Sequence, residues 1–277
     1  MFEDGSFIPG SACWIDVSTT DPAGSREFYA SLFGWTYRID PDSHSGQYAT
    51  ALLYDLPVAG LAGTAVPRGR PARWRLYLNS ANVSHTAMVI QKSSGQLLNG
   101  PTDAPGGGSM VVGMDPTGGE IGFWQPATTW IFHTVEPGSL VWADLNTQDG
   151  QRADEFFATL FGYRQQQIGD VTEMDYTVWS LGDYTLLGRF TIDKDEYSDT
   201  PAYWMIYFAV DPETGTDDTV NRVIELGGQV NVYPFDSTFG RTAVVQDPSG
   251  AVFSLIDTAQ RPRSVTGMAI NHDPYDN

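Results

Sequence analysis

Two stretches of this chain share one pattern, and that pattern decides the fold. Residues 14–34 read WIDVSTTDPAGSREFYASLFG, and residues 142–162 read WADLNTQDGQRADEFFATLFG. Most of the shared positions recur without a gap 128 residues later, from the opening Trp to the closing Gly. Similarity at a fixed period is the signature of a repeated unit. The chain of 277 residues is therefore predicted to contain two copies of one module.

Each stretch is typical of a strand followed by a helix. Residues 12–18 alternate in the way that a half-buried strand requires. Asp21 stands where a helix N-cap is expected, and Pro22 suits the first helical position. Gly34 follows the apolar run, where a helix usually ends in a left-handed residue. The same helix start and stop signals recur in the second copy, with Asp149 as the N-cap and Gly162 after the apolar run.

The similarity between the two copies continues beyond these stretches. Trp74 and Tyr77 match Trp204 and Tyr207, and the turn sequence DPTG at 115–118 matches DPSG at 247–250. The order of strand and helix signals predicts an α+β fold in which four βαβββ units form two modules. We expect modules at 1–130 and 138–260, followed by a flexible tail at 261–277.

Charge and composition narrow the class of partner. The chain has 34 acidic and 15 basic residues and a formal net charge of −19, so binding to nucleic acid or to an anionic membrane is disfavoured. Cys13 is the sole cysteine, which rules out an intrachain disulfide. No secretory signal or apolar run of spanning length is evident, and we expect a cytoplasmic protein that is a monomer or a homodimer.

The repeated motif resembles that of the vicinal oxygen chelate superfamily, which includes glyoxalases, bleomycin-resistance proteins and extradiol dioxygenases. The resemblance rests on W-x-D-x-x-T-x-D, F-x-x-x-L-F-G and the later D-P-x-G turn, and it spans about residues 10–258. It is strongest to the tandem, two-module members found in bacteria. The resemblance implies cupped mixed β-sheets, each enclosing a site for a small molecule, but one fold hosts many activities.

The resemblance also implies three metal-ligand positions in each module. They are a His or Gln on the first strand, a Glu on the last strand, and a ligand that opens the second half of the module. In this sequence those positions hold Trp14, Arg75 and Gly122 in the first module, and Trp142, Met205 and Ser254 in the second. These residue types are poor ligands for hard or borderline cations, so we expect no metal and no other cofactor.

Side chains two residues apart on a strand share a face, which predicts what lines each cup. Buried carboxylates with a nearby cation suit acid–base chemistry, which gives the candidate catalytic residues Asp16, Asp144, Arg75 and Glu120. Rings and a hydroxyl on the same faces suit stacking against a flat ligand. The candidate substrate-binding residues are Trp14, Tyr77, Trp124, Trp142, Tyr203, Tyr207 and Ser254.

Structural roles for these residues stay open. The aspartates can serve as backbone partners, Arg75 and Glu120 as an ion pair, and the indoles as filling where relatives hold a metal. The first functional hypothesis is a metal-independent enzyme, or enzyme accessory, of secondary metabolism. It would use acid–base chemistry for cyclisation, isomerisation or ring opening of an aromatic or polyketide-like substrate. The alternative is a non-catalytic protein that sequesters a drug or metabolite, and its negative charge favours cationic ligands.

Overall fold

The computed structural model describes residues 7–39, 48–63, 72–104, 106–127, 129–171, 174–195 and 200–261. Within these ranges the chain forms two mixed sheets of eight strands. The predicted tail lies outside the described residues, apart from Arg261. Along the chain the elements are β1 (Ala12–Thr19), α1 (Pro22–Phe33), β2 (Thr36–Ile39), β3 (Tyr48–Leu53), β4 (Leu56–Gly63), β5 (Arg73–Asn79), α2 (Val83–Lys92), β6 (Gln96–Asp103), β7 (Gly108–Met114), β8 (Glu120–Pro126), β9 (Leu140–Thr147), α3 (Gly150–Phe161), β10 (Arg164–Ile168), β11 (Tyr176–Leu181), β12 (Tyr184–Thr191), β13 (Tyr203–Ala209), α4 (Gly215–Glu225), β14 (Gln229–Ser237), β15 (Gly240–Gln246) and β16 (Val252–Asp257).

The predicted α+β fold of paired βαβββ units is confirmed. The strand order of the first sheet is β2-β3-β4-β1-β5-β8-β7-β6, and the second sheet repeats it as β10-β11-β12-β9-β13-β16-β15-β14. In each sheet the first strands of the two units lie side by side and antiparallel. This central pair brings residues from both halves of a module to one face of one sheet.

The helix signals read from the repeat act as expected. The Asp21 side chain accepts a hydrogen bond from the Gly24 amide at 2.9 Å, and Asp149 does the same for Arg152. Gly34 ends α1 in the left-handed region at φ 74°, where a residue with a side chain is disfavoured. Each module therefore turns sharply from its first helix into its second strand.

The two modules pack through the faces of the sheets that carry the helices. Phe33 of α1 lies 5.0 Å from the Phe208 ring of β13, and the Tyr29 hydroxyl donates to Asp247 at 3.0 Å. Tyr29 and Phe208 belong to one apolar core that includes both modules, and Phe33 packs against it. None of the helices in the described ranges has the length and apolar character needed to cross a membrane.

Packing through the helical faces leaves the opposite face of each sheet for a ligand. We call the face that carries Trp14, Asp16 and Tyr77 the first cup. We call the face that carries Trp142, Asp144 and Tyr207 the second cup.

Candidate functional site

The first cup holds a compact network of charged side chains. Asp16 lies directly opposite Arg75 in the antiparallel pair of β1 and β5. Its Oδ2 atom accepts a hydrogen bond from the Tyr77 hydroxyl at 2.8 Å, and its Oδ1 atom lies 4.0 Å from Nη1 of Arg75. Arg75 also binds Glu120, with Nε donating to Oε1 at 3.1 Å. The first cup therefore contains its own countercharge for the buried aspartate.

Burial and the countercharge act in opposite directions on Asp16. Burial raises the pKa of Asp16 above 3.8, the positive charge of Arg75 and the hydrogen bond from Tyr77 lower it, and the negative charge of Glu120 raises it again. The same carboxylate keeps the pKa of Arg75 high despite the burial of that side chain. Asp16 and Arg75 thus stabilise each other in their charged forms.

Indole rings pack tightly beside this network. Trp14 is 1% exposed, and its Nε1 donates to the Tyr48 hydroxyl at 2.8 Å. Trp130, from the segment between the two sheets, lies 4.8 Å from the Trp14 ring and 4.4 Å from the Trp124 ring. Phe132 from the same segment lies 5.4 Å from Trp14. Part of the first cup is therefore filled by side chains of the chain itself.

The second cup repeats the central residues of the first without the charged partners. Asp144 accepts hydrogen bonds at Oδ1 from Nε1 of Trp142 at 2.6 Å and from the Tyr176 hydroxyl at 2.7 Å. The Tyr207 hydroxyl is a third hydrogen-bond partner of this carboxyl. Met205 occupies the position opposite Asp144 that Arg75 occupies opposite Asp16.

A cavity of about 460 Å³ opens beside Asp144. This volume lies within the range of roughly 300–1,000 Å³ that is usual for sites of small organic ligands. Six aromatic side chains line the cavity together with aliphatic and polar residues, and the hairpin that joins β14 to β15 contributes to the lining. The residues that argue for ligand binding are Trp142, Asp144, Tyr176, Phe190, Tyr207, Phe235 and Phe239.

The carboxyl of Asp144 is poised for proton transfer near neutral pH. Burial raises the pKa of Asp144 from 3.8 to about 6, although hydrogen bonds from Tyr176, Tyr207 and Trp142 lower it in part. A carboxyl with such a pKa can accept and return a proton under physiological conditions.

The structure distributes the predicted site residues over distinct environments. Asp144, Trp142 and Tyr207 lie together at the cavity of the second cup. Ser254 is fully buried beside Tyr207 in the parallel pair of β13 and β16, whereas Tyr203 is 38% exposed and is not among the cavity-lining residues. In the first cup the predicted residues contact one another through the charged network and the indole cluster; they are Asp16, Arg75, Glu120, Trp14, Tyr77 and Trp124.

Two tyrosines at the centre of the cups were not predicted as site residues. Tyr48 and Tyr176 each accept a hydrogen bond from the indole of the first strand of their module. They stand 128 residues apart, at the same period as the repeated motif. The spacing of 128 residues could have identified them from the sequence, because residues repeated in register occupy equivalent places in the two modules.

The residues at the family's metal positions do not fit a metal ion. An indole N–H is only a donor, and those of Trp14 and Trp142 point at tyrosine hydroxyls. Arg75 is itself a cation and would repel a metal ion. Gly122 has no side chain to offer as a ligand, and a Cβ at this position would lie 2.1 Å from the Tyr77 ring. Within the described ranges, no group of three or more His, Cys, Asp or Glu residues is arranged to hold a metal.

Comparison with known proteins identifies relatives over nearly the whole chain. CFP32 of Mycobacterium tuberculosis, named as a glyoxylase, is 32% identical over 265 residues, which cover 94% of this chain and 99% of the relative. The anthracycline biosynthesis protein DnrV of Streptomyces peucetius is 30% identical over 277 residues, with coverage of 95% and 98%. No protein-family model matches the chain.

Solved structures share the fold at low sequence identity. The Mn(II)-bound glyoxalase from Novosphingobium aromaticivorans superposes with a TM-score of 0.62 at 14% identity, covering 92% of this chain and 86% of that one. The 2,3-dioxygenase LapB from Pseudomonas sp. KL28 gives 0.63 at 12% identity, with coverage of 91% and 93%. Together with the repeated βαβββ architecture, these relatives show that the chain belongs to the vicinal oxygen chelate superfamily.

Proposed function

We propose that the second cup is the working site of a metal-independent enzyme, or enzyme accessory, of secondary metabolism. The observation that carries the proposal is the buried Asp144 carboxyl, which lines a cavity with six aromatic side chains and whose pKa is raised by burial to about 6. Strongly shifted carboxyls in clefts are typical of catalytic sites. The substrate class is a flat aromatic or polyketide-like molecule.

Two further observations support this substrate class. The cavity walls present Trp142, Tyr176 and Tyr207 together with Phe190 and Phe239, and such rings stack on flat ligands. DnrV and DauV, which are 30% identical to this chain, are named as anthracycline biosynthesis proteins. An aromatic metabolite of this kind would fit the rings that line the cavity and would agree with the biosynthetic pathway for which these relatives are named.

The chemistry available to Asp144 is the transfer of one proton without a redox change. The ionised carboxylate accepts a proton from a C–H group next to a carbonyl of the substrate, and the electron pair of that C–H bond delocalises onto the carbonyl oxygen as an enolate. The protonated carboxyl then returns the proton to a different atom. Return of the proton to a different carbon gives isomerisation. Attack of the enolate carbon on a second carbonyl gives cyclisation, and expulsion of a ring oxygen by the enolate gives ring opening; in both cases the carboxyl returns its proton to the oxygen that becomes negative.

The first cup is assigned a supporting role in this proposal. Arg75 binds both Asp16 and Glu120, and Tyr77 donates to Asp16. The side chains that were predicted to be catalytic there are thus engaged with one another. Their catalytic role stays a prediction, and their contacts support a structural ion-pair network.

A non-catalytic binding protein is the second candidate, and one observation favours it. Trp142, Tyr176 and Tyr207 already hydrogen bond to Asp144, so the carboxyl is satisfied within the protein. A carboxyl that is held in this way can recognise a ligand without transferring a proton. Such a protein would bind an aromatic metabolite stoichiometrically and release it unchanged.

The test combines binding and turnover on matched variants. Purified protein treated with a chelator is incubated with aromatic polyketides, and products of unchanged mass are sought by chromatography and mass spectrometry. Asp144→Asn should lower turnover by about 10²–10⁴-fold, the usual contribution of a general acid or base, and should still bind the substrate. Asp16→Asn is the matched control and should retain turnover.

Each outcome separates the candidates. Equal loss of turnover in Asp144→Asn and Asp16→Asn would contradict the assignment of catalysis to the second cup. Binding that is damaged by Trp142→Phe or Tyr207→Phe, without any turnover by the wild type, would establish the binding protein. Restoration of activity by an added metal would contradict the metal-independent mechanism.

Cellular and assembly properties stay predictions. We expect a cytoplasmic protein that does not bind nucleic acid or membranes and that acts as a monomer or a homodimer. The net charge of −19 supports the exclusion of nucleic acid.

A further inference from the structure

The two cups differ at the residue that faces the buried aspartate across the central strand pair. Arg75 faces Asp16 in the first cup, and Met205 faces Asp144 in the second. Residues that are directly opposite on neighbouring strands project to the same face of the sheet. The second cup therefore keeps the aspartate but has a neutral residue at the position opposite it, where the first cup has a cation.

The first cup shows in detail how such a site holds a positive charge. The guanidinium carbon of Arg75 lies 5.9 Å from the centre of the Tyr77 ring. Nη1 donates to the Tyr77 hydroxyl at 3.2 Å and lies 4.0 Å from Asp16. The cation is thus bound by a carboxylate, a phenol oxygen and an aromatic ring, which together are favourable partners for an organic cation.

The second cup presents the corresponding groups to a cavity. Asp144 and Tyr207 correspond to Asp16 and Tyr77, and both line the cavity. Val252 takes the position of Glu120, because Ser254 pairs with Tyr207 as Gly122 pairs with Tyr77. The second cup therefore has Met205 and Val252 where the first cup has the ion pair of Arg75 and Glu120.

Two other charged residues line the cavity of the second cup. Asp236 and Arg261 are lining residues, and Asp236 accepts a hydrogen bond from Arg241 at 2.8 Å. Tyr176 and Tyr207 are the titratable side chains that hydrogen bond to Asp144, and Tyr203 lies near Tyr207. Asp144 is 4% exposed and is the buried acidic residue of this lining, whereas Asp236 is exposed.

We propose that the second cup binds an aromatic ligand that carries an organic cation, a protonated amine or a guanidinium, in the place that the Arg75 guanidinium fills in the first cup. The proposal rests on the function proposed above and narrows its substrate class. The hydrogen-bond partners of Asp144 are the neutral donors Tyr176, Tyr207 and Trp142, so burial of its negative charge is costly, and a ligand cation would reduce that cost. A bound cation would also keep Asp144 ionised, so that it would act as a base rather than as an acid.

The experiment compares two flat tricyclic probes of similar shape. 9-Aminoacridine is a cation at neutral pH, and acridone is neutral. Isothermal titration calorimetry of each probe against the full chain, at physiological salt, gives affinity and stoichiometry. We expect one site per chain and an affinity for the cation about tenfold or more higher than for acridone.

Substitutions at Met205 and Asp144 locate the charge preference. Met205→Arg introduces the residue of the first cup and should reduce the preference for the cation to about onefold, because the protein then supplies the charge itself. Met205→Gln is the neutral control of similar length and should keep the preference. Asp144→Asn tests the same point without adding volume and should also abolish the preference while acridone still binds.

The outcomes distinguish failure of this inference from failure of the proposed function. Equal affinities of the wild type for the two probes would overturn the cation site and leave the aromatic site intact. Binding of neither probe would overturn both. A preference for the cation that survives both Met205→Arg and Asp144→Asn would place the cation elsewhere on this acidic protein and would overturn the inference.

Discussion

The first and second cups carry the same central residues in different electrostatic surroundings. Each places a tryptophan and an aspartate two residues apart on its first strand and adds two tyrosines at equivalent places. In the first cup Arg75 supplies a countercharge at 4.0 Å from Asp16, whereas Met205 faces Asp144 in the second. The comparison teaches that replacing the residue opposite a shared aspartate separates an internal ion-pair network from a carboxyl with neutral partners at a cavity.

The largest expected effect comes from removing the countercharge of the first cup. Arg75→Met leaves Asp16 and Glu120 without their shared partner and should lower the free energy of unfolding by about 3–5 kcal/mol, as for other broken buried ion pairs. Met205→Leu, at the equivalent position of the second cup, should cost less than about 1.5 kcal/mol. Urea denaturation of both variants gives the comparison, and equal losses would contradict the assigned difference between the cups.

The pH dependence of stability should also differ between the cups. Burial raises the pKa of Asp144 to about 6, so the folded state binds more protons than the unfolded state between the two pKa values. The wild type should therefore lose about 3 kcal/mol of stability relative to Asp144→Asn as the pH rises from about 3 to about 8.

The same titration of Asp16→Asn is the control for this prediction. Asp16 should give a smaller difference, because the positive charge of Arg75 lowers its pKa against the effect of burial. Denaturation curves recorded at several pH values measure both differences. Parallel curves for the wild type and Asp144→Asn would show that the Asp144 pKa is not raised in the folded state.

A third prediction concerns how closely Tyr77 packs on the sheet. A Cβ at Gly122 would lie 2.1 Å from the Tyr77 ring, so Gly122→Ser should displace that ring and cost about 2 kcal/mol by overpacking. Ser254→Gly makes the reverse change in the second cup, where a serine already fits beside Tyr207. We expect it to cost about 1 kcal/mol through the flexibility of glycine. Thermal denaturation compares the two, and a harmless Gly122→Ser would mean that Tyr77 is loosely held.

The smallest expected effect is a gain in stability at the interface between the modules. The Tyr29 hydroxyl accepts a hydrogen bond from Trp74 Nε1 at 3.1 Å and donates to Asp247. Phe157 is the equivalent residue of the second module, 128 positions later. The Trp204 ring lies 5.7 Å from the Phe157 ring, and Asp115 is the repeat equivalent of Asp247. Trp204 Nε1 and Asp115 Oδ2 are buried without a hydrogen-bond partner among the described residues.

Phe157→Tyr should therefore raise the free energy of unfolding by about 1 kcal/mol, because one hydroxyl can serve both groups. Tyr29→Phe should lower it by a similar or larger amount, since it leaves Asp247 and Trp74 each without one partner. Chemical denaturation measures both changes. A destabilised Phe157→Tyr would mean that the ring lacks room for the additional oxygen.

The fold followed from the sequence because the repeat carried several independent signals in register. The caps at Asp21 and Gly34, the alternation along the first strand and the two D-P-x-G turns all pointed to the same architecture. Alternation also placed Asp16, Arg75 and Tyr77 on one face, where the structure brings them into contact. Local periodicity is sufficient for such predictions, because strand geometry fixes which residues share a face.

The difference between the cups could not be read from the same signals. Trp130 and Phe132 come from the segment between the sheets, and no periodicity predicts that they pack on Trp14. The cavity of the second cup depends on Phe235 and Phe239, whose places are set by a hairpin of distant sequence. These features depend on side-chain volumes and long-range packing, which strand patterns do not record.

A crystal structure of the protein soaked with an aromatic polyketide tests the central claim most directly. We predict density for one ligand in the second cup, stacked on Trp142 or Tyr207 and within hydrogen-bonding distance of Asp144, with the Arg75–Asp16 network of the first cup unchanged. Ligand density in the first cup against a displaced Arg75, or a metal ion at the positions of Trp142, Met205 and Ser254, would contradict it.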